Sequence, residues 1–228
     1  MKLLAFDTST EILRVAVQHG AQDALEHVGP GGAQASATLI PAIQELLRRA
    51  GLPLADLDAI VFGRGPGSFT GLRTAASVAQ GLAFGAKVPV LGIDTLLAVA
   101  EDARQRRGAE QVVALLDARM DQVYCAPYEH KDGVWRRQGE ITLGAPEAVQ
   151  VPAGWVLAGN GFAVYGERLP ASAARIEAAP TATALLRLAP ALLAAGGGGD
   201  AASATPLYIR DKVAQTTEER AALRRAAE

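Results

Sequence analysis

Apolar residues open the chain as one short run, Leu3-Leu4-Ala5-Phe6, stopped by Asp7-Thr8-Ser9-Thr10. A run of that length bounded by polar residues predicts a buried strand and a turn, since Asp, Ser and Thr side chains bond to nearby backbone N–H groups. Residues 13–17 resume as a strand and 22–28 supply a third, so the chain begins as an antiparallel meander. Gly29-Pro30-Gly31-Gly32 ends it. Over 36–50 the apolar period lengthens to that of a helix: Leu39, Ile43, Leu46 and Ala50 share a face, Ile40 and Leu47 widen it, and Gly51 and Pro53 terminate it. A strand at 59–62, a loop at 63–67, a helix from about 68 to 85, a strand at 90–93 and a helix at 96–107 follow. Strand–helix–strand–helix order adds a parallel component to the meander.

From Gly108 the pattern restarts. Residues 112–116, 123–128, 134–143 and 155–157 read as strands, and 182–194 as a helix that Pro190 is expected to kink or split. Residues 196–199 form a glycine connector, and 217–228 a polar helix. The expected organisation is two α/β lobes, 1–107 and 108–228, with the C-terminal tail free to return to the first.

Composition narrows the function. Half of the 228 residues are apolar and a fifth are charged, which describes a globular chain. A net charge of −2 offers no basic excess, and that argues against strong nucleic-acid binding by this chain alone. Cys125 is the only cysteine, which excludes an internal disulfide and a cysteine-rich zinc site and suits a reducing compartment. Asp7 interrupts the first apolar run too early for a signal peptide, and no uncharged apolar run reaches the length of a membrane span, so the cytoplasm is the expected location.

The most informative stretch is Gly63-Arg64-Gly65-Pro66-Gly67-Ser68-Phe69-Thr70-Gly71-Leu72-Arg73. Three glycines around a proline allow close approach with a fixed shape, and Ser68 suits the cap of the next helix. Two readings stand: a close-packed turn that presents a helix, which is preferred, or an anion site at a helix N-terminus. The phosphate-loop lysine is missing, and Ser68 replaces the last glycine of a dinucleotide fingerprint. The following helix carries Gly71, Ala75, Ala76, Ala79, Gly81, Ala83 and Gly85, a helix-weakening set unless something packs closely on it. Asp7-Thr8 occupies the place where actin-, Hsp70- and sugar-kinase-type proteins position phosphate; an Asx-turn closing the hairpin is the simpler reading. Asp117-Ala118-Arg119-Met120-Asp121 reads as a charged turn with a local Arg–Asp pair. His19, His27 and His130 share no helical metal spacing, and no Gly-x-Ser-x-Gly elbow is present.

Leu4-Ala5-Phe6-Asp7-Thr8-Ser9, the 63–73 stretch, Ala79-Gln80-Gly81-Leu82-Ala83, Asp117-Ala118-Arg119 and Pro206-Leu207-Tyr208-Ile209-Arg210 together resemble the TsaB (YeaZ) family. That resemblance implies an α/β fold of two actin/Hsp70-like (ASKHA) lobes, with mixed sheets flanked by helices. It implies a non-catalytic subunit that works with TsaD and TsaE. Their joint reaction would be transfer of the threonylcarbamoyl group from threonylcarbamoyl-AMP to N6 of adenosine 37, in tRNAs reading codons that start with adenine. ATP or ADP and a metal are then expected in the partner subunits, with no strongly bound cofactor, catalytic residue or metal ligand in this chain. Consistent with that division, helix 36–50 has no histidine to match those that hold the metal in TsaD, and Ala35 stands nearest the position where many family members keep one. Family members bind TsaD through the first two helices of the N-terminal lobe, and pair with themselves there when TsaD is absent. Leu39, Ile43, Leu46, Thr74, Val78 and Leu82 are accordingly assigned to the partner face, so that Ile43→Asp or Val78→Asp would break association without unfolding. Gly63, Gly65, Pro66, Gly67 and Ser68 are assigned to a structural glycine loop, and Asp7 and Thr8 to nucleotide contact. tRNA is met indirectly, through the complex. The alternatives are an independent ATP-using, kinase-like enzyme, a peptidase, or an RNA-binding module resting on Arg210, Lys212, Arg220, Arg224 and Arg225, which alternate with Asp211, Glu218, Glu219 and Glu228.

Overall fold

The computed structural model describes residues 1–171 and 173–210. The polar helix expected at 217–228 lies outside the described residues. Strand β1 (Lys2–Asp7) pairs antiparallel with β2 (Ile12–His19), which pairs antiparallel with β3 (Leu25–Pro30). Helix α1 (Ala35–Ala50) then lies against β2 and β3, and Gly51 ends it in a left-handed conformation. Strand β4 (Ala59–Gly65) joins β1 in parallel, α2 (Phe69–Ala86) crosses over, and β5 (Val90–Asp94) extends the sheet in the order β3-β2-β1-β4-β5. The meander and the parallel component thus share one sheet. Gly63 and Gly65 prove to be strand residues, paired with Ile93 and Asp94 across a bulge.

Helix α3 (Thr95–Arg107) leads to the second sheet. Its strands are β6 (Gln111–Arg119), β7 (Gln122–Lys131), β8 (Val134–Arg137), β9 (Thr142–Gly144), β10 (Val156–Gly159) and, after the one-turn helix α4 (Phe162–Tyr165), β11 (Ala174–Glu177). Their order is β11-β10-β6-β7-β8, with β9 also paired to β7. The single strand expected over 134–143 is two. The carbonyl of Pro127 in β7 accepts from Gln138 N on the outer edge, so proline's missing N–H faces that edge and the ladder breaks there.

Helix α5 (Ala182–Ala194) runs uninterrupted through Pro190, contrary to the expected split. Pro190 is on the exposed side, while Leu185, Leu186, Leu188 and Ala189 are buried and hold the helix in place. That packing is on the first sheet, against Leu3, Ala5, Ala59 and Val61. Helix α3, by contrast, comes from the first half and covers β6 of the second sheet through Leu96, Val99 and Ala103. The lobes therefore exchange helices across the 107/108 junction. Two carboxylates pin that junction. Glu101 of α3, 4% exposed, accepts from Trp135 Nε1 at 2.9 Å and Arg187 Nε at 2.8 Å. Asp94 accepts from Arg64 Nε at 2.7 Å and Arg137 Nη1 at 3.2 Å.

Candidate functional site

The glycine-rich stretch folds down onto the first turn of the chain. A Cβ on Gly63 would strike Asp7 Oδ2, one on Gly67 would come within 2.6 Å of Ser9 Cβ, and one on Gly71 would strike the Thr8 carbonyl oxygen. Gly65 has φ +125° and faces the Leu207 carbonyl, and the Gly65–Pro66 peptide is cis. Ser68 N donates to Ser9 O at 2.8 Å, and Ser68 is the cap residue of α2. Close approach of the first turn, through the Asp7 side chain at 63, Ser9 at 67 and the Thr8 carbonyl at 71, explains the three small positions. Gly71→Ala is expected to cost about 2 kcal/mol, the range for forcing an extra carbon into packed backbone. Gly85→Ala on the open side of the same helix should instead stabilise by up to about 1 kcal/mol. Thermal unfolding of the two variants checks the contrast.

Asp7 and Thr8 are completely buried. Asp7 Oδ1 accepts from Ser9 N at 2.9 Å and Ser9 Oγ at 2.7 Å, an Asx-turn, while Oδ2 has no partner among the described residues. Burial pushes the Asp7 pKa up to about 6, against the opposing pull of the Ser9 bonds. Thr8 Oγ1 donates to Gly71 O at 2.7 Å.

Beside this turn a cleft of about 450 Å³ separates the lobes. Ser9, Glu11 and Phe69 face Asp117, Met120, Tyr124 and Asn160 across it, with Arg210 at its edge; Asp7 and Thr8 do not line it. Its charges are already engaged. Arg119 is paired with Glu11 at 2.8 Å and Asp117 at 3.3 Å, which holds its guanidinium above the usual range. Asp117 Oδ1 accepts from Tyr165 Oη at 2.9 Å; burial, with the neighbouring carboxylate, pushes that phenol up to about 12. Asn160 Oδ1 accepts from Asp117 N at 3.0 Å. The local Arg–Asp pair expected at 117–121 is present, extended by Glu11 from the other lobe.

The partner-face assignment needs a correction. Leu39, Ile43 and Leu46 are at most 1% exposed and lie in the first lobe's own core with Leu4, Phe6 and Leu13. A single strong apolar stripe on α1 is taken by its own sheet. Thr74, Val78 and Leu82 are half-buried, and Val78 and Leu82 pack at the edge of that core. Outward positions are occupied on α1 by Ile40, 42% exposed, and on α2 by Ser77, Gly81 and Gly85, with Phe84 80% exposed. No described atom outside the helix backbone lies within 4 Å of where a Cβ on Gly81 or Gly85 would sit. Ile40, off the main stripe, and the glycines of α2 were the available signals in the sequence.

Among the described residues no three His, Cys, Asp or Glu side chains converge to hold a metal ion, and no helix is long and apolar enough to cross a membrane. A family model described as TsaD, tRNA N6-adenosine threonylcarbamoyltransferase, matches residues 29–222. The tRNA threonylcarbamoyladenosine biosynthesis protein TsaB of Escherichia coli is 34% identical over 225 residues, covering 94% of this chain and 96% of that one. This chain belongs to the TsaB (YeaZ) family. The TsaB protein of Haemophilus influenzae is 48% identical over 126 residues, 54% of this chain and 52% of that one. The solved structure of YeaZ from Pseudomonas aeruginosa is 43% identical, with a TM-score of 0.85 over 91% of this chain and 99% of that one. The two mixed sheets flanked by helices are the actin/Hsp70-like architecture of the TsaB family and of its paralogue TsaD.

Proposed function

We propose that this chain acts in tRNA threonylcarbamoyladenosine biosynthesis as a partner subunit without catalysis of its own. Its partners are TsaD and TsaE homologues, and the joint reaction moves the threonylcarbamoyl group from threonylcarbamoyl-AMP to N6 of adenosine 37. Nucleotide and metal belong to the partners, and tRNA is met through the complex. The names and near-complete coverage of the TsaB relatives support the pathway.

The observation that carries the subunit role is the outward face of α2. Glycine in a helix interior is unfavourable by about 1 kcal/mol against alanine. Gly81 and Gly85 have no close neighbour in their own described fold that would require the lack of a side chain. Phe84, the neighbour of Gly85 in the same helix, is 80% exposed. A partner helix laid on this face, at the short distance glycine allows, accounts for the two glycines and for Phe84. The same face serves self-pairing when TsaD is absent.

Gly81→Arg separates fold from function. The isolated variant is expected to be as stable as the parent or slightly more so, because arginine is the better helix former. Mixed with the TsaD homologue, it should bind at least about tenfold more weakly, and tRNA modification with TsaE should fall in step. Light scattering after size exclusion reads the complex. Unchanged association by Gly81→Arg would remove α2 from the interface; failure of the parent chain itself to bind TsaD would remove the subunit role.

A further inference from the structure

Residues 206–210 form an extended segment that touches three separate parts of the molecule. Leu207 N donates to Arg64 O at 2.7 Å, and the Leu207 carbonyl lies against Gly65, so the segment is seated on the end of β4. Tyr208 packs on Phe69 at 5.2 Å between ring centres and accepts from Arg73 Nε at 3.1 Å, while the Arg73 guanidinium stacks 3.8 Å from the Phe69 ring. This joins the segment to the first turn of α2. Ile209 packs into the second lobe's core. Arg210 then reaches the β6–β7 turn, donating to Ala118 O at 2.9 Å, Arg119 O at 3.5 Å and Met120 Sδ at 2.9 Å.

That turn is a two-residue hairpin that asks for positive φ and is filled by residues that disfavour it. Arg119, Met120 and Asp121 all have positive φ, at 60°, 55° and 57°, and none is glycine. The register shifts between Asp117 and Arg119, so a bulge adjoins the turn. Consecutive L-residues in the left-handed region persist only where their surroundings hold them. The carbonyl before this stretch, at Ala118, the Arg119 carbonyl and the Met120 sulfur are held by Arg210, about ninety residues away in sequence.

We propose that residues 206–210 are a strap that couples α2 to the β6–β7 turn, so that the state of α2 sets the rigidity of the cleft wall formed by 117–121. The chain of contact runs from Arg73 and Phe69 through Tyr208 and the backbone to Arg210, and from there to Met120. Each link is a packed ring, a hydrogen bond or one residue of extended backbone, the kind of contiguous network through which coupling is transmitted. The Glu101 and Asp94 nodes hold the lobes together elsewhere, so loosening the strap changes the turn without releasing one lobe from the other. Through linkage, whatever binds the outer face of α2 and shifts its first turn also shifts the cleft wall. This last step rests on the subunit reading above; the strap itself does not.

Met120 is the reporter. Its thioether accepts a hydrogen bond from Arg210 and is at the surface, and Met1 supplies an exposed internal reference. The full-length chain is treated with hydrogen peroxide, and sulfoxide formation at Met120 relative to Met1 is followed by peptide mass spectrometry, with hydrogen exchange read over 116–124. Arg210→Ala is expected to raise both rates by about tenfold, the worth of losing hydrogen bonds from a charged donor. Arg210→Lys should fall between, since a point charge cannot span both carbonyls and the sulfur. Arg73→Ala decides the coupling: it touches Tyr208 and not Met120, and it should raise the Met120 rate several-fold while the exchange of β1 and β4 stays as in the parent. A turn indifferent to Arg210→Ala overturns the strap. A turn that responds to Arg210→Ala and ignores Arg73→Ala overturns the coupling and leaves a local clamp. A parent chain that fails to bind TsaD leaves these isolated-chain results untouched, so the two readings fail separately.

Discussion

Ile43→Asp is expected to unfold the first lobe. Ile43 is 1% exposed in a cluster with Phe6, Leu39, Leu46 and Phe62. Truncating such a side chain alone costs about 2–5 kcal/mol. An aspartate there adds an unpaired polar group with no donor nearby, at a further cost of about 1–3 kcal/mol even when it binds a proton. Against a total stability of about 5–15 kcal/mol, the sum removes most or all of it. Far-UV circular dichroism with a thermal melt reads the result. A soluble variant that melts cooperatively near the parent's temperature would return the α1 stripe to the partner face, where the family resemblance had put it. Gly81→Arg is its counterpart, altering the outer surface and sparing the core.

Asp7→Asn is expected to stabilise the protein at neutral pH. The Asp7 pKa is about 6 in the fold against an ordinary value of 3.8. A group raised in this way favours the folded state fully below pH 4. As pH rises from about 4 to about 6 the unfolded chain loses this proton first, and that contribution disappears. Above pH 6 the buried carboxylate is ionised, with Oδ2 unpartnered, at a cost of about 3 kcal/mol by the linkage relation. Asparagine keeps an oxygen for the two Ser9 donors and never ionises. The variant should therefore gain on the parent progressively between pH 4 and 6, by about 1–3 kcal/mol at pH 7. Urea unfolding at pH 4, 5, 6 and 7.5 gives the difference curve, and a difference that does not vary with pH would falsify the assignment to Asp7.

The elements near the start of the chain were legible because local pattern and tertiary packing agree there. The run 3–6, the helical period of 36–50 and the stop at Gly51 each describe a structure whose partner in space is also near in sequence. What the pattern could not say was which surface claims an apolar stripe. Leu39, Ile43 and Leu46 read equally well as core or interface, and the sheet takes them because β2 and β3 are a few residues away. Beyond the first turn of α2 the two roles separate by residue type: Ala75, Ala76, Ala79 and Ala83 are inside, and Gly81 and Gly85 are outside. Pro190 misled because a proline on the solvent side of a well-packed helix removes one hydrogen bond that burial elsewhere outweighs. The breaking of 134–143 depends on Pro127 in a neighbouring strand, and the grip of Arg210 on the β6–β7 turn spans about ninety residues. Neither is written in a local window.

The exchange of helices between the lobes bears on how the chain is made. The face of the first sheet formed by Leu3, Ala5, Ala59, Val61 and Leu91 is covered by Leu185, Leu186, Leu188 and Ala189. All five strands of that sheet have been synthesised by residue 94, yet their cover is still some ninety residues from being made. For that interval a nascent lobe carries a bare apolar surface, the kind of exposure that invites chaperones or misassembly. The second sheet faces no such delay, because α3, which covers it, is made before its own strands. The order of emergence thus leaves this face of the first sheet waiting far longer for its helix than the second sheet waits for α3.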